Sequence, residues 1–249
     1  MIATYRMIDG QQVSVEFGAM IPTEVASEFV LKTTVGGSRI QFSVDASHRE
    51  YAFEVAADQR ITKNFETTSR YGFRDGTLWA GSGDLLDEQE GVEYWESDGA
   101  GRARRQRFHL AAWEGKEYSV HTFRYGGDVE AVTALLSMLE FEEHGDGISC
   151  PVPPGVETVT PASIRFRQPG VGIVDVKRVR DVDRIRMPKV AGQRVAGGEL
   201  FVGSNHGGHD YYVLHGQNML AYFYPQLDDE EILADWVSEF SIGLASSAN

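Results

Sequence analysis

Two distant segments of the chain carry the same pattern of residue types. They are residues 123–141, FRYGGDVEAVTALLSMLEF, and residues 222–240, YFYPQLDDEEILADWVSEF. Each begins with the alternating aromatic residues of a strand end, passes through a short turn, and continues into an apolar helix whose first turn is acidic. A chain that repeats its elements in this way is expected to fold into two related halves around a pseudo-twofold axis.

Both predicted helices have a single apolar face. The apolar positions follow the spacing i, i+3, i+4 and i+7, which places them on one stripe of a helix and favours packing against a sheet. In the first helix they are Val132, Leu135, Leu136 and Leu139, and in the second they are Ile232, Leu233, Trp236, Val237 and Phe240.

Hairpins are predicted upstream of each helix. Turn residues lie between apolar runs at 36–37, 114–116, 169–170 and 216–218. The predicted fold class is therefore α+β, with two halves that are each an antiparallel hairpin-rich sheet closed by a C-terminal helix. The halves are expected at 1–148 and 149–249, although one continuous pseudo-symmetric domain is an alternative. The proline-rich segment between them is either a linker or a packed edge strand.

This order of elements resembles the Mog1/PsbP-type α/β sandwich. The resemblance rests on hairpins followed by a closing helix, and no sequence motif of that superfamily is present. Members of the superfamily bind partners, assist assembly or act as secretion chaperones. The resemblance therefore implies a binding role rather than a particular reaction.

Composition narrows the classes of partner. The formal charge is −14, which repels phosphate backbones and anionic lipid, so neither nucleic acid nor a membrane is expected as a partner. Cys150 is the single cysteine, which excludes an intrachain disulfide and cysteine-based zinc sites. The N-terminus lacks the pattern of a secretory signal, and no apolar run is long enough to span a bilayer, so a cytoplasmic location is expected.

The first half is longer than the second, and the surplus falls within residues 66–107. This segment is rich in glycine and charge, yet it holds large apolar side chains that a plain linker would not need. We therefore expect it to be an insertion with a binding role, or else a hairpin that covers a sheet face. The candidate binding residues are Trp79, Tyr94, Trp95, Arg102, Arg104 and Arg105.

A polar loop in the second half could hold a divalent metal. Its candidate ligands are His206, His209 and Asp210, since imidazole and carboxylate groups suit zinc, iron or manganese. The spacing matches no established metal motif, so a polar loop that enters a hairpin is the alternative. No cofactor is otherwise expected.

Two further features of the sequence lead to structural predictions. His109 and His121 lie equally far from Gly115 and are predicted to pair across the first hairpin. The basic stretch at residues 174–189 is predicted to be an irregular loop or a charged sheet edge, with partner docking as the alternative.

No catalytic motif is present, so the leading hypothesis is a non-enzymatic adaptor or chaperone-like protein. It would dock a protein partner through the insertion and the seam between the halves. One alternative is a metal-dependent or small-molecule enzyme that uses the loop of His206, His209 and Asp210. Another is a structural or assembly subunit of a secretion system or particle. The sequence does not indicate an oligomeric state.

Overall fold

Most of the described chain is β-strand. The computed structural model describes residues 2–17, 22–50, 66–84, 107–168, 172–187, 192–204, 210–225, 236–237 and 239–244. In chain order the strands are β1 Ile2–Arg6, β2 Gln12–Glu16, β3 Glu24–Val35, β4 Ser38–His48, β5 Glu66–Phe73, β6 Gly76–Asp84, β7 Arg107–Glu114, β8 Tyr118–Tyr125, β9 Glu142–His144, β10 Gly147–Ser149, β11 Glu157–Gln168, β12 Gly172–Arg178, β13 Gln193–Val195, β14 Gly198–Ser204, β15 Asp210–Gly216, β16 Met219–Pro225 and β17 Ser241–Leu244. Helical segments include α1 (Val129–Met138) and α2 (Asp181–Arg186). A sheet-rich α+β fold is therefore confirmed.

The chain divides into two compact units. Unit 1 comprises Met1–Val30, Phe141–Val152 and Thr158–Asn249, and unit 2 comprises Leu31–Glu140 and Pro153–Glu157. These bounds differ from the predicted halves because the first strands belong with the last ones. In unit 1, β1 pairs in parallel with β10, and β2 pairs in antiparallel fashion with β17.

Unit 1 contains a small sheet and a longer series of strands. The small sheet has the order β17-β2-β1-β10-β9, and the longer series runs β11-β12-β16-β15-β14-β13. Aromatic rings fill the core of this unit. Phe17 lies 5.0 Å from Phe166 and 5.6 Å from Phe240, and Phe223 lies 5.0 Å from Phe240 and 5.4 Å from Trp236, between ring centroids. The edge-to-face arrangement of these pairs is the one that aromatic quadrupoles favour.

Unit 2 contains the strand series β4-β8-β7-β6-β5, with the second part of β3 beside β4. Helix α1 packs on β6, β7 and β8. It begins at Asp128, whose carboxylate accepts a hydrogen bond of 3.0 Å from the backbone N–H of Ala131. Its predicted apolar stripe, Val132, Leu135, Leu136 and Leu139, is fully buried. The sequence pattern therefore predicted this helix and its packing face correctly.

Two of the predicted tight turns occur where the sequence placed them. Gly36 and Gly37 have φ angles of 57° and 83° between β3 and β4, and Gln217 and Asn218 have φ angles of 47° and 63° between β15 and β16. Two consecutive positive φ angles match the twist of the paired strands. The turn at 169–170 and the start of the second predicted helix lie outside the described residues. From that helix, Trp236, Val237 and Phe240 are buried.

The predicted insertion contains regular strands. β5 and β6 lie within residues 66–107 and pair with each other, and β6 also pairs with β7. Leu78 and Ala80 of β6 are fully buried, so these strands are part of the sheet of unit 2. The longest part of the predicted insertion that lies outside these strands is residues 85–106, which connect β6 to β7. These residues lie outside the described residues.

No helix among the described residues is long and apolar enough to cross a membrane.

Candidate functional site

One face of the strand series in unit 1 forms a groove. Register places Arg165 of β11 opposite Asp175 of β12, Asp175 opposite Tyr222 of β16, Tyr222 opposite Val213 of β15, and Val213 opposite Phe201 of β14. Directly opposed residues share a face of a pleated sheet, so this row runs across five strands on one side. The groove encloses about 470 Å³.

The floor of the groove is apolar. Phe201, Val213 and Leu220 form a buried cluster, and Met187, which follows α2, packs against it. A buried apolar floor that opens to one side is the usual setting of a ligand site. The residues that line the groove are Glu28, Ser163, Asp175, Lys177, Arg180, Asp183, Met187, Phe201, Val202, Gly203, Tyr211, Val213, Tyr222 and Tyr224.

Tyr211, Tyr222 and Tyr224 form one wall of the groove. Tyr211 and Tyr224 are stacked, with ring centroids 6.3 Å apart and planes 29° apart, and Tyr224 is 42% exposed. Tyr211 lies directly over Gly203, where a Cβ atom would come within 2.6 Å of Cζ of the ring. Partial burial raises the pKa of the Tyr224 hydroxyl, so it remains protonated and able to donate at neutral pH.

At one end of the groove, the carboxylate of Asp183 accepts hydrogen bonds from two cationic side chains. We call Lys177, Arg180 and Asp183 the Asp183 cluster. Nε and Nη2 of Arg180 donate to the carboxylate at 2.9 and 3.2 Å, and Nζ of Lys177 donates at 3.2 Å. The hydrogen bond from Arg180 is the main reason why the pKa of Asp183 falls to about 2. Lys177 Nζ also lies 4.7 Å from the ring centroid of Tyr222, within range of a cation–π interaction.

A second ion-pair cluster lies along the adjacent strands. We call Arg165, Asp175 and Glu28 the Arg165 cluster. Arg165 donates to both oxygens of Asp175, at 2.7 and 3.3 Å, and its Nη2 lies 3.8 Å from Oε1 of Glu28. Ser163 donates to the same Glu28 oxygen at 3.4 Å. Two carboxylates here share one guanidinium, so the cluster has a formal charge of −1.

The carboxylates of the groove are all paired with cationic side chains. Each of its carboxylates lies beside a cation, and Asp183 stays ionised at neutral pH because its pKa is about 2. A general acid or base works best when its pKa lies near the working pH. Among the described residues that line the groove there is no histidine or cysteine.

A serine–histidine contact lies in unit 2. His109 Nδ1 is 2.7 Å from the hydroxyl of Ser82, and its Nε2 is 3.1 Å from the carbonyl oxygen of Gly127. Since a carbonyl only accepts, Nε2 carries the proton and Nδ1 accepts from Ser82. Both side chains are buried, so this contact stabilises the β6–β7 pair and the start of the α1 segment.

The predicted pairing of His109 with His121 is wrong. His109 lies opposite Arg124, and His121 lies opposite Ala112. The turn spans residues 115–118, with the N–H of Gly115 donating to the carbonyl of Tyr118, so its centre is displaced from Gly115. The odd shift in register also places the two histidines on opposite faces of the sheet.

His121 is buried and electrically neutral. Desolvation lowers its pKa to about 4, although Oδ2 of Asp45 lies 3.8 Å from Nε2. Among the described residues, its Nδ1 finds no hydrogen-bond partner, and neither does the buried hydroxyl of Ser47. A charge on this ring would be costly in such surroundings.

The structure describes only one of the predicted insertion anchors. Trp79 is 9% exposed, and its Nε1 donates to Oε1 of Glu114 at 3.0 Å. Its indole therefore packs within the sheet of unit 2, and its predicted role in partner binding is not tested by this position. Tyr94, Trp95, Arg102, Arg104 and Arg105 lie outside the described residues.

The predicted metal loop is described only at one end. Asp210 begins β15 opposite Ser204, and nothing is described of its side chain, while His206 and His209 lie outside the described residues. No group of three potential metal ligands occurs among the residues that the structure describes. The loop connects Ser204 of β14 to Asp210 of β15. This opposed pair lies one position beyond the pair of Gly203 and Tyr211, at the tyrosine wall of the groove.

The basic stretch is not an irregular loop. Residues 174–178 belong to β12, and Asp181–Arg186 form α2. The predicted loop was wrong because the backbone and side chain of Arg180 both donate to Asp183, which fixes the first turn of a helix. The sequence signal for the groove was weak. Its strongest element was the spacing of two between Tyr222 and Tyr224, which places both on one face of a strand.

No protein-family model, curated protein or solved structure matches the chain.

Proposed function

We propose that the protein is a non-enzymatic adaptor or chaperone-like protein that docks a protein partner in the tyrosine-lined groove of unit 1. The observation that carries this proposal is a wall of three tyrosines above a buried apolar floor, with each neighbouring carboxylate held by a cation. Tyrosine and arginine dominate the energetics of protein interfaces. The paired carboxylates argue against acid–base catalysis at this site.

Tyrosine suits a surface that is exposed before its partner binds. Its ring supplies apolar contact area, its hydroxyl remains hydrated in the free protein, and it loses little conformational entropy on binding. Met187 adds a flexible apolar side chain at the edge of the floor, which can adapt to different partner shapes.

We also propose that the two strand series arose by duplication. The orders β3-β4-β8-β7-β6-β5 and β11-β12-β16-β15-β14-β13 are the same, element for element. The registers correspond as well, because Phe123 lies opposite Leu110 as Tyr222 lies opposite Val213. The likeness to Mog1/PsbP-type proteins belongs to this proposal, and it favours partner binding over catalysis.

The connection at residues 85–106 is proposed as a further contact region for a protein partner. It joins β6 to β7, as residues 205–209 join β14 to β15. Both connections therefore leave equivalent strand ends, beside Phe108 in unit 2 and beside Tyr211 in unit 1.

Two tyrosines of equal exposure provide the test. Tyr224 in the groove is 42% exposed, and Tyr71 on β5 of unit 2 is 43% exposed. Tagged wild-type protein, Tyr224→Ala and Tyr71→Ala would be expressed in the source cells, and co-purifying proteins would be quantified by mass spectrometry. We expect one partner to be depleted by Tyr224→Ala and retained by Tyr71→Ala. Equal recovery with all three proteins would reject the groove as the docking site.

A further inference from the structure

We infer that the protein forms a symmetric dimer through the outer edge of β5, which pairs in antiparallel fashion with β5 of a second copy. The twofold axis passes Tyr71, so that Arg70 of each copy lies opposite Gly72 of the other. This interface belongs to unit 2 and goes beyond the docking function proposed for the groove of unit 1.

The outer edge of β5 is long and open. β5 spans 8 residues and pairs along one side with β6. Within the part of the chain that the structure describes, no strand pairs with its other side. Arg70, Tyr71 and Gly72 are exposed, and a Cβ atom at Gly72 would meet nothing within 4 Å. The corresponding edge of unit 1 is β13, which has only 3 residues, so unit 2 offers the edge that is long enough to pair.

The geometry of the β5–β6 hairpin shows which backbone groups face outward. Phe73 and Gly76 lie opposite each other across the turn, so they exchange the first pair of hydrogen bonds between the strands. Hydrogen bonding alternates along an antiparallel strand, which directs the backbone groups of Tyr71 toward β6 and those of Arg70 and Gly72 outward. The outward N–H and C=O groups are the ones that a further strand would bind.

One register of β5 against its copy uses all of these groups and opposes no like charges. With Tyr71 on the twofold axis, each Arg70 exchanges a pair of hydrogen bonds with Gly72 of the second copy. The two Tyr71 side chains then form a non-hydrogen-bonded pair, where side chains come closest and aromatic pairs are favourable. An axis at Arg70 would oppose the two arginines, and an axis at Gly72 would oppose Arg70 and Arg74.

The usual guards of an exposed edge are missing from this stretch. Residues 69–73 contain neither proline nor lysine. Their single charged side chain, Arg70, reaches back over the sheet, where its Nη2 lies 3.6 Å from Oε2 of Glu114 on β7. The register shift of β5 falls between Thr67 and Ser69, before this stretch. The edge therefore carries no unpaired charge where the two copies meet.

The first test compares proline and alanine at position 72. Gly72→Pro removes an outward N–H group from each copy and leaves the ladder with β6 intact, whereas Gly72→Ala keeps that group. Sedimentation equilibrium would be measured on the full chain in about 0.3 M salt, which screens the repulsion between two chains. We expect wild type and Gly72→Ala to be dimeric, and Gly72→Pro to have a dissociation constant at least about tenfold higher.

Circular dichroism would check that Gly72→Pro is folded. A wild-type protein that stays monomeric at every concentration would overturn the inference. A folded Gly72→Pro that dimerises as tightly as Gly72→Ala would overturn it as well, because the contact would then lie elsewhere.

The second test examines the register by cross-linking and does not need the proline variant. Cys150 is the single cysteine and is buried, so a cysteine introduced on β5 reacts without competition. Tyr71→Cys would place two thiols across the axis at a separation that a disulfide can span, whereas the Cα atoms at position 70 would be about 8 Å apart. We expect mild oxidation to yield a covalent dimer of Tyr71→Cys and none of Arg70→Cys. Cross-linking of Arg70→Cys, or none in Tyr71→Cys, would overturn the pairing.

These outcomes are separate from those for the groove. Tyr224 belongs to unit 1, whereas β5 belongs to unit 2. Tyr71→Ala keeps every backbone group of β5, so it remains a control for docking in the groove.

Discussion

Arg180 donates to the carboxylate of Asp183 through its backbone N–H, at 3.1 Å, and through Nε and Nη2 of its side chain. A single carboxylate thereby begins α2, orients a guanidinium and holds Lys177 at the groove. Removing its charge would affect the groove and the stability of unit 1 together.

Asp183→Asn is therefore expected to destabilise the protein by about 2 kcal/mol near pH 7, in line with charge-assisted hydrogen bonds. The pKa of Asp183 is lowered to about 2 in the folded state, from 3.8, so its contribution is present above pH 3.8 and lost as the pH falls toward 2. Urea unfolding of both proteins near neutral pH and near pH 3 measures this. Asp181→Asn, an exposed change in the same helical turn, is the control. Equal stability of wild type and Asp183→Asn at neutral pH would contradict the expectation.

His121→Leu is expected to make the protein less sensitive to mild acid. The pKa of His121 is lowered to about 4 by burial, from 6.5, so the unfolded chain takes up a proton before the folded one does. His121 leaves the free energy of unfolding unaffected above pH 6.5, and it lowers that free energy by roughly 3 kcal/mol as the pH falls to 4. Leucine is a natural replacement because Leu220 occupies the corresponding register position on β16.

The measurement for His121 is the midpoint of urea unfolding at several pH values between about 7 and 4. His144→Leu is a suitable control, since His144 is only partly buried and its Nε2 lies 2.9 Å from the hydroxyl of Ser149. An unchanged pH profile in His121→Leu would show that the buried imidazole is not the source of acid sensitivity.

Gly203→Ala is expected to destabilise unit 1 by about 1–3 kcal/mol and to displace Tyr211 from its stack with Tyr224. The added methyl group would lie 2.6 Å from Cζ of Tyr211, which is closer than unstrained atoms approach. Gly72→Ala is the matched control, because a Cβ atom there meets nothing within 4 Å. Thermal unfolding and tyrosine fluorescence of both variants would check this, and a Gly203→Ala protein as stable as Gly72→Ala would refute it.

Deletion of residues 86–105, with a two-residue turn in their place, is expected to leave the sheet of unit 2 folded. Asp84 and Arg107 lie directly opposite each other on β6 and β7, so a tight turn can join them. Deletion of 70–105 would also remove buried Leu78 and Ala80 and is expected to unfold the unit. Circular dichroism distinguishes the two, and loss of partner capture by the 86–105 deletion while it remains folded would support a docking role for the connection.

The sequence predicted local elements better than it predicted long-range pairing. The stripe at Val132, Leu135 and Leu136 and the turns at 36–37 and 217–218 are local patterns, and the structure contains them. The pairing of β1 with β10 joins residues far apart in the chain, and no local pattern in either strand specifies it. The unit boundaries differed for that reason.

The groove could be predicted only in part for the same reason. The charges of Lys177 and Asp183 could be read from the sequence, but the contact between these side chains depends on the first turn of α2. Tyr211 and Tyr224 meet because β15 and β16 form a hairpin, which the sequence did predict. Their position above Phe201 depends on the pairing of β14 with β15, whose connection gave no turn signal that fixed the register.

The pairing of β1 with β10 and of β2 with β17 also constrains the order in which the chain can fold during synthesis. Unit 2 ends at Glu157, whereas unit 1 needs Ser241–Leu244 to complete its small sheet. A nascent chain therefore holds β2 without its partner β17 until residues 241–244 have been made, although β1 and β2 can already pair with each other. Ribosome-bound chains arrested between the two points are expected to protect unit 2 from protease while their N-terminal strands remain cleavable. Early release of such a chain would leave the N-terminal segment in need of a chaperone.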